Sequence, residues 1–114
     1  VPCSEAAGAA LGGEPASDEN PQRIADKLAA EGMVRHIAAL IFTLHKGLAL
    51  EIELRRAMAG GRYPIDSRLA RATLFELQEK GLVELVRIGK YKVYRLTEKG
   101  REVAEELARR VGLA

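Results

Sequence analysis

Between Leu82 and Thr97 the sequence alternates apolar and polar residues on either side of the dipeptide Gly89-Lys90. A two-residue loop opening with glycine suits a type II′ hairpin turn. So short a loop leaves one register, with Ile88 opposite Tyr91, Val86 opposite Val93 and Glu84 opposite Arg95. One face then carries Val83, Leu85, Tyr94 and Leu96, which should pack on helices. Arg87 and Lys92 stand opposite each other at the far end of that face, beside Lys90 at the tip. Like charges in direct opposition destabilise a hairpin, so the pair calls for something negative, such as a phosphate backbone. The same lysines also suit an edge hairpin guarded against aggregation.

The segment before the hairpin reads as a helix. Asp66 or Ser67 can cap it by accepting from an unpaired backbone N–H. Leu69/Ala70, Thr73/Leu74 and Leu77 recur at helical spacing, and Gly81 ends the segment by tolerating a left-handed conformation. Arg68, Arg71, Ala72 and Phe75 fall away from the Ala70–Leu74–Leu77 stripe. An arginine early on such a face can donate twice to guanine O6 and N7, a pattern no other base pair presents. Taken alone, these arginines read equally as solvated surface charge.

Leu77-Gln78-Glu79-Lys80-Gly81-Leu82-Val83, followed by Tyr94-Arg95-Leu96-Thr97-Glu98-Lys99-Gly100, resembles the recognition-helix end and wing exit of MarR-like and PadR-like transcription regulators. With the residues between and around them, the matching pieces span about a third of the chain. The resemblance implies a winged helix-turn-helix: mainly α with a small β-hairpin wing, here preceded by an extra N-terminal helix. It implies a homodimer on double-stranded DNA, with the recognition helix (about 66–80) in the major groove and the wing (86–93) on the backbone. Ser67, Arg68, Arg71 and Ala72 take the base-facing positions, and Arg87, Lys90 and Lys92 the wing positions. The chain is shorter than a typical MarR-like protein, and its final helix is brief. That leaves the mode of dimerisation and any small-molecule effector open.

Upstream, residues 1–20 are rich in Gly, Ala and Pro and carry four acids and no base. They lack the basic start and apolar core of a signal peptide and are expected to form a disordered acidic tail. Cys3 lies there as an isolated thiol. Residues 21–114, expected to form one domain, hold all eighteen Lys and Arg against twelve of the sixteen Asp and Glu, a surplus of six positive charges. A basic domain behind an acidic tail is compatible with nucleic-acid binding without proving it.

Asn20 should cap a helix beginning at Pro21, with Ile24, Ala25, Leu28 and Ala29 as its apolar stripe. Met33–Lys46 follows as a helix apolar on most sides, expected to be buried or covered by another helix on its outer side. His36 and His45, nine residues apart on opposite sides of it, read as structural or solvated and not as metal ligands. Gly47-Leu48 is the candidate for a short strand pairing with the wing. Residues 49–59 are expected as a helix leading through Gly60-Gly61-Arg62-Tyr63-Pro64 into the recognition helix. A last helix, capped by Thr97 and reaching about Val111, has Val103, Ala104, Leu107 and Val111 on its apolar face and Glu102, Glu105 and Glu106 in solvent. The apolar stripes of the first and last helices are the expected dimer seam.

No catalytic constellation or cofactor motif is present, so an enzyme is not expected. No apolar run is long enough to cross a membrane, and a single Cys excludes an internal disulfide, so a cytoplasmic setting is expected. Few amides with many Glu and Arg point toward a thermophilic prokaryote or archaeon. A sequence-specific DNA-binding regulator leads. Two alternatives stay open: a winged module for protein–protein assembly, favoured by the apolar Val86, Ile88, Tyr91 and Val93, and a chromatin-type DNA binder without sequence preference.

Overall fold

The computed structural model describes residues 20–112. The expected acidic tail, apart from Asn20, and Cys3 lie outside the described residues. The elements run α1 (Pro21–Ala30), α2 (Val34–Lys46), β1 (Ala49–Leu50), α3 (Glu51–Met58), α4 (Ser67–Glu79), β2 (Val83–Ile88), β3 (Tyr91–Leu96) and α5 (Glu98–Arg110). The strands form one antiparallel sheet in the order β1-β3-β2.

Local chemistry sets most boundaries. Asn20 caps α1, its side chain accepting from the Gln22 N–H at 2.7 Å. Asp66 caps α4, accepting from the N–H groups of Arg68 and Leu69 at 2.9 and 3.3 Å. Each bond satisfies a donor that the helix leaves unpaired. At the other end of α4, Gly81 adopts φ +75°. The Gly81 N–H donates to Gln78 O and the Leu82 N–H to Leu77 O, both at 3.0 Å. This is a Schellman closure, with the fully buried Leu77 and Leu82 as its apolar contact. The turn between α3 and α4 is held from within. The Ile65 N–H donates to Arg55 O at 3.1 Å, and Arg55 Nε donates back to Ile65 O at 2.9 Å.

The core is one cluster. Leu40 of α2, Leu54 of α3, Leu74 and Leu77 of α4, Leu82, and Val103 and Leu107 of α5 are all buried there. Each such aliphatic side chain contributes about 1.5–3 kcal/mol relative to exposure. The hairpin register is the expected one, with Ile88 opposite Tyr91, Val86 opposite Val93, Arg87 opposite Lys92 and Glu84 opposite Arg95. Gly89 supplies the positive φ, +61°, that a primed turn needs.

Several expectations need correction. The short strand is Ala49–Leu50, opposite Tyr94 and Val93, and not Gly47-Leu48. Gly47, at φ +90°, is spent on leaving α2, its N–H donating to Thr43 O. The next helix therefore starts at Glu51, not residue 49. Its first turn is closed by Glu53, which accepts from the Leu50 N–H at 2.9 Å. That bond holds the Glu53 carboxyl below the usual glutamate range; burial opposes it, and Lys46 and Arg56 add to the lowering. Val34 is 67% exposed, so α2 is not covered all round.

The face of the hairpin also divides differently. Val83 and Tyr94 are buried, but Leu85 is 43% exposed because the hairpin projects past the helices. Val93, on the opposite face, is buried between Leu50 across β1–β3 and Val86 across β2–β3. At the last helix Val111 is exposed and Ala108 takes its place inside. Glu106 is not free in solvent, since it pairs with Arg109 and Arg110. The stripes of α1 and α5 bury each other within one chain: Ile24, Ala25 and Leu28 against Leu107 and Ala108. Arg110 closes that seam by reaching Asp26 at 2.6 Å. These stripes are therefore not spare surface awaiting a second copy.

One glycine is dictated by packing. A Cβ on Gly100 would lie 1.8 Å from the Leu82 carbonyl oxygen, a backbone atom that cannot yield without moving the strand. Gly100→Ala should therefore lower stability by about 1–3 kcal/mol or more through overpacking. Urea titration checks this as a lower midpoint at an unchanged slope. Gly112→Ala, at a position with open space, costs only the strain of its positive φ.

Candidate nucleic-acid interface

The order of α2, α3, turn, α4 and hairpin leaves one side of α4 uncovered. Ala70, Thr73, Leu74 and Leu77 face the core, while Arg68, Arg71, Ala72 and Phe75 are exposed. Ser67 is half-buried at the start of the helix. Phe75 is 58% exposed, a large apolar side chain left out among charged neighbours.

Two polar ties fasten α4 to α2 on its inner side. His36 is buried, and its Nε2 lies 2.6 Å from Glu76 Oε1. Its Nδ1 is buried with no hydrogen-bond partner. One turn earlier, Arg35 Nε donates to Thr73 Oγ1 at 3.4 Å. His36 is thus structural and His45 exposed, as expected for both. Among the described residues no group of His, Cys, Asp and Glu converges to hold a metal ion.

The four base-facing candidates sit in the first half of α4, three of them fully on its outer side. They differ in one respect. Arg68 has no acidic partner among the described residues, whereas Arg71 Nε donates to both carboxylate oxygens of Glu51, at 3.3 and 3.2 Å. Glu51 is the first residue of α3. The two are twenty residues apart, and no periodicity or motif in the sequence signals their meeting.

At the hairpin tip Arg87 and Lys92 are opposed, as expected, and neither has an acidic partner among the described residues. Lys90 lies over the Tyr91 ring, 6.0 Å from its centroid. Further down, Arg95 is neutralised by Glu84 across the strands at 2.9 Å. Among the described residues, the unpaired positive charge of the hairpin is therefore confined to its tip. Alternate residues of a strand share a face, so Lys92 and Arg87 project on the side of Tyr94 and Leu85. Burial raises the Tyr94 phenol above its ordinary range, the nearby Glu51 carboxylate adds to this, and Arg71 opposes it. The hairpin face bearing Arg87 and Lys92 is thus the face that meets Glu51 and Arg71. Of the apolar residues on the other face, only the tip pair, Ile88 and Tyr91, is strongly exposed, because Val93 is buried and Val86 half-buried.

No family model and no curated protein matches the sequence. The structure is similar to the crystal structure of a MarR family transcriptional regulator from Silicibacter pomeroyi DSS-3, with a TM-score of 0.63. The fold is a winged helix-turn-helix. The match covers 80% of this chain at 21% sequence identity, and 63% of the other, so the likeness is one of fold and the chain spans less than two thirds of that regulator's length. In winged-helix terms α4 stands at the place of the recognition helix and β2–β3 at that of the wing. A cleft of about 580 Å³ opens between α1 and the far end of the recognition helix, lined by Lys27, Glu31, Glu76, Glu79 and Lys80 over an apolar floor. It lies at the opposite end of α4 from Arg68 and Arg71. No helix among the described residues is long and apolar enough to cross a membrane.

Removing the Glu76 carboxylate leaves both ring nitrogens of a buried histidine without a protein partner. Glu76→Ala should lower stability by about 1–3 kcal/mol, the cost of an unsatisfied buried polar group. His36→Leu in the same background should restore part of it, and thermal melts of the single and double variants check both.

Proposed function

We propose that the protein is a transcription regulator that binds double-stranded DNA sequence-specifically as a homodimer. The recognition helix enters the major groove and the wing lies on the backbone. The observation that carries this reading is the pairing of uncompensated cations with two elements of one winged fold. Among the described residues, Arg68 has no acidic partner at the exposed start of α4, and Arg87 and Lys92 face each other at the wing tip without an acid. Two like charges held in register cost stability, and a phosphate backbone offsets that cost. The MarR family member of similar fold is itself described as a transcriptional regulator.

Base readout belongs to α4, through Ser67, Arg68, Arg71 and Ala72. Arg87, Lys90 and Lys92 contact phosphates, which are the same in every sequence and so position the protein without specifying the site. Readers with one recognition helix per chain pair half-sites about one helical turn apart through two-fold symmetry, which is the reason to expect a dimer. With the α1 and α5 stripes buried against each other, its seam must use their outer surfaces. Among the described residues, Val111, at the end of α5, is an exposed apolar position there.

The test is affinity for a duplex selected from a randomised pool and for an unselected duplex, across a salt series. Arg68→Ala should weaken the selected site by about 1–3 kcal/mol and the unselected duplex less. Lys90→Ala and Lys92→Ala should weaken both alike and each flatten the slope of log K against log salt by about one unit. Light scattering should show a dimer at tens of micromolar, about the working range of such an assay. Equal binding to both duplexes would favour the chromatin-type reading. A wild type that binds no duplex at low salt would favour protein–protein assembly, for which exposed Phe75, Ile88 and Tyr91 are the available apolar anchors.

A further inference from the structure

We propose that Glu51 is a positioning residue for base readout. It holds the Arg71 guanidinium by its Nε edge and so presents the two terminal nitrogens as a fixed fork toward a guanine. The inference rests on the DNA-binding reading above and deepens it by assigning a role to a residue outside the recognition helix.

The geometry separates the two ends of the guanidinium. Only Nε is engaged, shared between Glu51 Oε1 and Oε2 at 3.3 and 3.2 Å. Neither terminal nitrogen has a partner among the described residues. An arginine can read guanine O6 and N7 end-on through those two nitrogens, and that arrangement leaves Nε free for a carboxylate behind it. The Arg71 side chain is 66% exposed, so without Glu51 it would be a long chain sampling many rotamers. Glu51 is better fixed. Its side chain is 30% exposed and sits in the first turn of α3, where the helix dipole favours a carboxylate. Arg68, three residues earlier on the same exposed side, has no such support.

The pair also carries a cost that makes a purely electrostatic account testable. A carboxylate near a DNA-facing surface repels phosphate. If Glu51 did nothing more, removing it would tighten binding to every duplex by a similar factor. A surface ion pair adds little to folding, so the variants should remain folded, which circular dichroism and a melt confirm.

The experiment uses the full chain as wild type, Glu51→Ala, Glu51→Gln, Arg71→Ala and the Glu51→Ala/Arg71→Ala double variant. Selection from a randomised duplex pool by the wild type and by Arg71→Ala identifies the G·C pair whose preference Arg71 carries. Affinities are then measured for the selected duplex, the same duplex with that pair replaced, and an unselected duplex. Losing the pre-ordering of one long side chain corresponds to roughly a two- to tenfold effect. Glu51→Ala should lose that factor on the selected duplex and on its preference for the guanine, while binding the unselected duplex as well as wild type or better. Glu51→Gln removes the charge but keeps an acceptor for Nε, so it should retain more of the guanine preference than Glu51→Ala. In the Arg71→Ala background, Glu51→Ala should no longer reduce selected-site affinity. A parallel gain on all three duplexes for both Glu51 variants would overturn the inference while leaving the DNA-binding reading in place, and so would an unchanged guanine preference in Arg71→Ala. No duplex binding by the wild type would overturn both.

Discussion

The structure depends on the two-residue junction Gly81-Leu82. There the recognition helix ends, the wing begins and α5 lands. The Thr97 N–H donates to Leu82 O at 3.0 Å and the Thr97 hydroxyl to Gly81 O at 2.6 Å. The same hydroxyl oxygen accepts from the Gly100 N–H at 3.0 Å, capping α5. The Leu82 side chain is fully buried, and its carbonyl occupies the space that only a glycine at position 100 leaves open. One threonine and two glycines thus satisfy the backbone groups of three elements at a half-buried point. Loosening any of them unpairs polar groups and opens a cavity together, so the site is cooperative.

Much of the fold was legible because its signals are local. The hairpin register follows from a loop of two residues and a side-chain period of two, and every opposition expected from it is present. The caps at Asn20, Asp66 and Thr97 are short-range hydrogen bonds that depend on residue type alone. Errors arose where tertiary placement decides. Leu50 and Leu54 fit strand and helix alike, and the boundary fell where β3 had an edge to pair and Glu53 reached back to the Leu50 N–H. Alternation assigned Leu85 to the inner face correctly but could not show that the hairpin outruns the helices there. The stripes of α1 and α5 were both legible as apolar. That they cover one another is a property of the chain's path, which no stripe records.

At the candidate interface the residues were legible and their differences were not. Arg68 and Arg71 look alike in sequence, three apart on one side of a helix. Among the described residues one has no acidic partner and the other is held by a carboxylate from a different helix. Likewise Arg95 and Lys92 are both wing cations by position, yet Glu84 neutralises the first and nothing among the described residues neutralises the second. Charge counted along a chain overstates what a ligand meets, because pairing across elements subtracts from it. The same holds for apolar exposure: four residues suggested a patch on the outer face of the wing, and burial reduces it to the tip pair Ile88 and Tyr91.

The Gly81-Leu82 junction also sets a mechanical condition. α4 ends at Glu79 and β2 begins at Val83, and the base of the wing is tied to this junction through Thr97, so helix and wing are joined directly. A duplex bound as proposed, by helix and wing together, would have to present its major groove and neighbouring backbone at the separation the protein dictates. Duplexes differ in groove width and in stiffness from one base step to the next. On that proposal, sequences already close to that separation would be bent least and so favoured, including at positions that no side chain touches.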